Sequence, residues 1–166
     1  MLSWTVCSFN YYMLIFHLPK LEGNLYFNGI AITISEFFAN LIIGVIIYQF
    51  GLKLTIIASY SLMCAAAICY ILPFPDLALW YAGILFFMKF GLTCAFASSF
   101  YGTNVLFREE MTAIIFAICN MFSRFFTIFA PLVSAASDTT VMFIFLSLSA
   151  LAIILCGLII EPKQKG

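Results

Sequence analysis

Six long apolar runs constrain this chain more than any other feature of its sequence. Polar or proline-bearing breaks separate the runs, which cover residues 2–18, 25–50, 54–72, 77–101, 113–133 and 141–160. Each run is about 17–26 residues long, the length of helix that crosses about 30 Å of hydrocarbon. Backbone groups in lipid must be paired within their own segment, so we expect six transmembrane α-helices rather than strands.

The composition excludes several classes of protein. The hydrophobic fraction is 65% and the charged fraction 8%, whereas an ordinary soluble domain is about a quarter charged. Membrane lipid is therefore the expected surrounding, and a net charge of zero without a basic stripe argues against a nucleic-acid partner. All six cysteines fall in apolar runs, where we interpret them as packing residues. No catalytic motif or metal-ligand spacing occurs, so we expect no enzyme activity, cofactor or metal.

The short breaks between the runs predict one six-helix domain over residues 1–166, with consecutive helices antiparallel. Lysine and arginine in the breaks then predict its orientation, because they are enriched on the cytoplasmic side. With the N-terminus inside, one positive residue, Lys20, falls outside. The inside positive residues are Lys53, Arg108, Lys163 and Lys165. We therefore expect a multi-pass membrane protein with both termini on the cytoplasmic, or equivalent inner, side.

Three charged residues, Glu36, Lys89 and Arg124, lie near the middles of three apolar runs. A charge at mid-bilayer opposes insertion by roughly 2.5–3.5 kcal/mol, so it usually faces a partner or a wet cavity. One interpretation is a site at the membrane midplane for a substrate or a coupling ion. The alternative is an internal ion pair of Glu36 with Lys89 or Arg124 that only holds the helices together. One acid and two bases leave one positive charge over, which weakly favours an anionic ligand.

Further polar residues on the first two helices could share such a wet face, although small and polar side chains also mediate helix packing in lipid. We interpret His17, at the outer end of the first helix, as an interfacial residue. The other polar candidates are Ser8, Asn10, Tyr11, Tyr12, Asn28, Thr33, Ser35 and Asn40.

Several short motifs together resemble a known family. They are Asn-Tyr-Tyr at 10–12, Leu-Glu-Gly-Asn-Leu-Tyr-Phe-Asn at 21–28, Glu36, Lys-Phe-Gly-Leu-Thr-Cys-Ala-Phe at 89–96, and Ser-Arg at 123–124 followed by Pro131. They are similar to the seventh, eighth, tenth and eleventh helices of the organic cation/anion transporters of the major facilitator superfamily. The likeness covers nearly the whole chain.

The resemblance implies the C-terminal half of such a carrier. That half has six helices arranged as two inverted three-helix units, which would cover about residues 1–72 and 77–160. It implies membrane transport of a small organic ion by alternating access. The side chains expected along the substrate or ion pathway are Tyr11, Tyr12, Glu36, Lys89 and Arg124.

Two loops depart from the family pattern: Arg108 stands where the family carries proline, and three charged positions are lost. Leu52 and Thr112 stand where the family carries arginine, and Val105 stands where it carries an acid. Those loops form charged latches in such transporters. The alternative function is therefore a non-transporting structural or accessory subunit of a larger membrane complex, derived from a transporter half.

The resemblance also implies a protein partner. Half of a carrier presents half of a cavity, and Lys89 and Arg124 would then be open to lipid at a high cost in free energy. We expect the inner face to be covered by a second six-helix half, a second copy of the chain or another membrane subunit. A further possibility is that the 166 residues are part of a longer gene product.

Overall fold

The computed structural model describes residues 2–21, 24–72 and 78–158, and within these ranges every regular element is helical. This confirms the expected all-α class. The motif residues 22–23, the break at 73–76 and the two lysines at 163 and 165 lie outside the described residues. The elements are α1 (Leu2–His17), a 3-10 turn (Leu18–Lys20), α2 (Leu25–Phe50), α3 (Leu52–Ile71), α4 (Ala78–Leu106), α5 (Glu109–Thr127), α6 (Ala130–Ser134) and α7 (Asp138–Leu158).

Among the described residues, five helical segments are long and apolar enough to cross a membrane, so the chain is a multi-pass membrane protein. Helix α1 is shorter, with 16 residues, although α1 and the 3-10 turn together reach about 30 Å. A sixth crossing by α1 stays a prediction. The five segments are Leu25–Phe50, Leu52–Ile71, Leu79–Val105, Glu110–Ser134 and Asp138–Leu158.

Local sequence explains where the helices begin and end. The side chain of Asn24 accepts a hydrogen bond from the Tyr26 amide at 2.9 Å and so caps the start of α2. Gly51 alone joins α2 to α3, with a φ of 78° that only glycine adopts without strain. Pro131 lies in the first turn of α6 and has no amide hydrogen to continue a helix from α5. The fifth apolar run, expected as one helix, therefore forms α5 and the short α6.

Helices α1 and α4 form the middle of the bundle. Helix α4 packs against α2 and α3, while α1 packs against α5, α6 and α7; α1 also contacts α4, and α3 contacts α7. These main contacts are reproduced when the helices are exchanged in pairs: α1 with α4, α2 with α5 and α6, and α3 with α7. This is the pattern that two equivalent three-helix units would make, although the boundaries of such units stay a prediction.

Burial is unequal among the helices. In the most apolar stretch of each span, 56% of the α4 residues are buried, against 22% for α2 and 17% for the span formed by α5 and α6. Large apolar side chains such as Phe37, Leu41, Met121 and Phe125 are exposed on α2 and α5. These two helices flank the cavity described below, so the bundle is least covered on both sides of it.

Candidate functional site

A cavity of about 720 Å³ lies among α1, α2, α4 and α5. Its size is that of an ordinary small-molecule site, which measures about 300–1,000 Å³. On each helix the lining residues are mostly three or four positions apart, which places them on one face. They are Ser8, Tyr11 and Tyr12 of α1, Glu36 and Asn40 of α2, Thr93, Phe96, Ala97 and Phe100 of α4, and Asn120 and Arg124 of α5.

Glu36 and Lys89 form an ion pair at the wall of this cavity. The Lys89 Nζ lies 3.0 Å from the Glu36 Oε1 and 3.4 Å from the centre of the Tyr11 ring. The Lys89 side chain is 1% exposed and the Glu36 side chain 31% exposed. The structure thus pairs Glu36 with Lys89 rather than with Arg124. Lys89 lies behind the wall, and its own neighbours shield it from lipid without a partner protein.

Arg124 is the positive charge that this pairing leaves over. It lines the cavity and is exposed. Its Nη1 donates a hydrogen bond to the Tyr12 hydroxyl at 2.6 Å, and its Cζ lies 5.3 Å from the centre of the Tyr12 ring. No carboxylate among the described residues forms an ion pair with it. Tyr12 therefore orients the guanidinium, and the remaining N–H donors face the cavity without a compensating anion.

Uncharged polar groups surround these charges. The Asn40 Nδ2 donates a hydrogen bond to the backbone carbonyl of Glu36 at 2.9 Å. The Asn40 Oδ1 takes no part in that bond. The buried hydroxyl of Thr93 has no hydrogen-bond partner among the described residues. Asn120 lines the cavity one turn before Arg124. A ligand in the cavity would find a fixed cation and several donors or acceptors.

Sequence reasoning missed Thr93 and Asn120, although a signal for them existed. Thr93 lies four positions after Lys89, and Asn120 lies four positions before Arg124. Positions four apart share a helix face, so the two predicted charged residues could have pointed to both neighbours.

Of the wider set of polar candidates, some line the cavity and some hold helices together. Those that line it are Ser8, Tyr11, Tyr12 and Asn40. Asn10 and Ser35 instead bond other helices, Asn10 to the Ser149 hydroxyl at 3.1 Å and Ser35 to the Phe86 carbonyl at 2.7 Å. Thr33 bonds within its own helix at 2.9 Å, and Asn28 is buried. For Asn10 and Ser35, packing is the interpretation that the contacts support.

An aromatic cluster borders the cavity towards the end of the bundle that carries the N-terminus. Trp4 packs against Phe100 with ring centres 4.2 Å apart and against Phe116 at 5.0 Å. Phe96 and Phe100 lie 4.8 Å apart and both line the cavity. The four rings join α1, α4 and α5, so the cavity is bordered by apolar surface at this end.

The comparisons with known proteins identify one distant relative. The Caenorhabditis elegans protein named "Putative transporter B0252.3" is 23% identical to the chain over 150 residues, a match that covers 90% of the chain. The chain spans only 30% of the length of that protein. No protein-family model matches the sequence.

Proposed function

We propose that the chain carries a small organic ion, preferably an anion, across a membrane by alternating access. Arg124 is the observation that carries this proposal: it is the cavity-lining cation left over when Glu36 is neutralised by Lys89. The aromatic wall provided by Tyr11, Tyr12 and Phe96 would receive the apolar part of such an ion. The name of the nematode relative supports transport as the general activity.

The family resemblance adds the finer assignment, the C-terminal half of a major facilitator-type carrier. The exchange symmetry of the helix contacts supports two inverted three-helix units. In that arrangement both termini lie on the inner side. A tag at either end of the chain should then be digested by a protease added to the inner face alone, and digestion from the outer face would contradict the orientation.

Binding of benzoate tests the anion proposal directly, because benzoate combines a carboxylate with an aromatic ring. Arg124→Gln should weaken benzoate binding by about 10- to 100-fold, since a charge-assisted hydrogen bond contributes roughly 1.5–3 kcal/mol. Arg108→Gln is the matched control, because Arg108 is exposed and is not among the residues that line the cavity. Benzylamine has the same ring with the opposite charge and should bind more weakly than benzoate to the unmodified protein.

Transport requires a second readout. Benzoate uptake into vesicles that hold the protein with its native neighbours should be lost in Arg124→Gln and retained in Arg108→Gln. Equal binding and equal uptake for the two variants would overturn the assignment of Arg124.

A partner that covers the inner face belongs to the same proposal. Helices α2 and α5 are the least buried long helices and flank the cavity, and Arg124 is exposed there. A second six-helix half fits best, because the relative is longer than the matched segment. The intact mass and the cross-linked neighbours of the protein, purified from its own membrane, would distinguish that half from a second copy or an unrelated membrane subunit.

The contacts at two latch positions favour a second candidate function, the structural or accessory subunit. The Leu52 side chain packs where α3 meets α4, 3.0 Å from the position that a Cβ on Gly102 would occupy. The Thr112 hydroxyl bonds the Arg108 carbonyl at 3.0 Å in the first turn of α5. Both residues therefore serve local packing where the resemblance implies charged latches. This function would be favoured over transport if the chain purifies at constant stoichiometry within one complex and if Arg124→Gln leaves that complex unchanged.

A further inference from the structure

Two levels of contacts connect the four helices that surround the cavity. The first is a charged level, and the second is an aromatic level nearer the end of the bundle that carries the N-terminus. The contacts of the charged level are Lys89 with Glu36 and Tyr11, and Arg124 with Tyr12. The contacts of the aromatic level are Trp4 with Phe100 and Phe116.

The two levels also give the direction of each helix. Residue numbers rise from the aromatic to the charged level along α1 and α5, whereas they fall along α4. Helix α2 runs with α4, because Leu52, directly after α2, packs against Gly102 near the end of α4. The other end of α1 is held too, since His17 is completely buried rather than interfacial and its Nε2 lies 3.1 Å from the Asp138 Oδ1. The four helices therefore keep one register over the length of the cavity.

A layer of uncharged polar side chains lies between the two levels. Each of the four helices contributes one residue, which lies four positions from a residue of the charged level and towards the aromatic level. Four positions on a helix correspond to about 6 Å, so these side chains lie at one depth. All of them line the cavity, and we call them the neutral layer: Ser8 of α1, Asn40 of α2, Thr93 of α4 and Asn120 of α5.

Contacts within the protein use only part of the hydrogen-bonding capacity of the neutral layer. The Asn40 Nδ2 bonds the Glu36 carbonyl, and its Oδ1 takes no part in that bond. Ser123 bonds the backbone carbonyl of Asn120 at 3.0 Å, which leaves the Asn120 carboxamide out of that contact. The enclosed hydroxyl of Thr93 has no hydrogen-bond partner among the described residues. Helix packing therefore does not account for this layer, since buried polar groups in proteins are normally paired.

We propose that the neutral layer is a second subsite, which binds an uncharged polar group of an anion held by Arg124. This inference rests on the proposed anion site and names its substrate class, an organic anion with a hydroxyl or amide group opposite its carboxylate. The charged level and the neutral layer are about 6 Å apart along the helices, a separation that a para-substituted benzene ring bridges. Asn40 is exposed and Asn120 is half-buried, and each carboxamide can donate to such a group and accept from it.

Calorimetry with two aromatic acids tests the subsite. 4-Hydroxybenzoate should bind the unmodified protein about 3- to 10-fold more tightly than benzoate, which is the usual effect of one added neutral hydrogen bond. Asn120→Leu and Asn40→Leu should each reduce this preference, because leucine has a similar size and no polar group. Thr33→Val is the control on α2 and should keep the preference, since Thr33 bonds within its own helix and is not among the residues that line the cavity.

The ratio of the two affinities separates failure of the subsite from failure of the anion proposal. If both acids bind the unmodified protein equally and Arg124→Gln weakens both, the subsite is wrong and the anion site stands. A preference that both asparagine variants retain would likewise overturn the subsite. If neither acid binds, both proposals fail. If Asn120→Leu does not fold, Asn40→Leu decides by the same ratio, because Asn40 is exposed and its hydrogen bond lies within α2.

Discussion

Removing Glu36 should cost much more stability than removing Lys89, although the two residues form one ion pair. The Lys89 side chain is 1% exposed, whereas Glu36 is 31% exposed and borders the cavity. Glu36→Leu leaves an ammonium group buried without its carboxylate, and Lys89→Met leaves a carboxylate that cavity water can hydrate. Because desolvation of an unpaired charge costs several kcal/mol, the first change is the damaging one.

The magnitude follows from the distances. At 3.0 Å and an effective dielectric constant of about 20, the attraction between the two charges is about 5.5 kcal/mol. The Tyr11 ring, 3.4 Å from the Lys89 Nζ, retains about 2 kcal/mol of cation–π attraction when Glu36 is gone. We therefore expect Glu36→Leu to lower the free energy of unfolding by about 3 kcal/mol and Lys89→Met by about 1 kcal/mol. The double variant should be close to the unmodified protein, since apolar residues then replace the whole pair.

Thermal unfolding in detergent, followed with a thiol-reactive dye, measures this difference. Four of the six free cysteines are buried and become reactive when the helices separate. For a chain of this size 1 kcal/mol corresponds to about 2–4 °C, so Glu36→Leu should lower the unfolding temperature by roughly 10 °C and Lys89→Met by about 3 °C. Equal losses for the two single variants, or a double variant worse than either, would refute the reasoning.

Three further changes test packing and the cavity. Gly91→Ala should cost about 1–3 kcal/mol of unfolding free energy, because the new Cβ would lie 2.7 Å from a backbone oxygen of α3. Gly44→Ala is the control, because a Cβ at Gly44 would have nothing within 4 Å. In the same unfolding assay it should be neutral or stabilising by up to about 1 kcal/mol. Tyr60→Phe should cost about 1–2 kcal/mol, because the buried hydroxyl bonds the Ser3 carbonyl of α1 at 3.0 Å, whereas the equivalent change at the exposed Tyr48 should leave the unfolding temperature unchanged. Arg124→Lys should retain part of the benzoate affinity lost in Arg124→Gln, since the charge stays but the planar donor geometry does not; a complete loss measured by calorimetry would show that charge alone is insufficient.

The sequence by itself determined the helical class and the positions of the long spans. Runs of 17 or more apolar residues leave the backbone in lipid no alternative to helix, so the apolar runs and the observed helices coincide closely. The exceptions are local. Leu52 and Lys53 already belong to α3, because Gly51 turns the chain by itself. The fifth run is divided before Pro131, which cannot donate the hydrogen bond that a continuous helix requires.

The sequence also pointed to residues that line the cavity and to Lys89, which lies behind its wall. Charges in apolar runs are rare, so Glu36, Lys89 and Arg124 stood out. Tyr11 and Tyr12 were among the polar residues of the first two helices, and the resemblance also implied them for the pathway. Periodicity within one helix could also have pointed to Thr93 and Asn120, because each lies one turn from a predicted charge. Whether these residues form a pathway for a solute stays a prediction.

Only the tertiary structure decided which charges pair. Sequence position places Glu36, Lys89 and Arg124 at the same depth in the membrane. It does not determine in which direction each side chain points around its helix axis, because the rotation of a helix depends on packing. The structure turned Lys89 towards Glu36 and Tyr11 and turned Arg124 towards Tyr12. The way the helices face one another therefore determined that Arg124, and not Lys89, is the cation of the cavity without a paired carboxylate.

The pairing of His17 with Asp138 is the clearest case of this kind. The two residues are 121 positions apart in the sequence, and no local pattern connects a histidine at one helix end with an aspartate at another helix start. Their contact exists because α1 packs beside α6 and α7. Local sequence determines the helices through nearby hydrogen bonds and hydrophobicity, whereas contacts between distant side chains depend on the packing of the whole bundle.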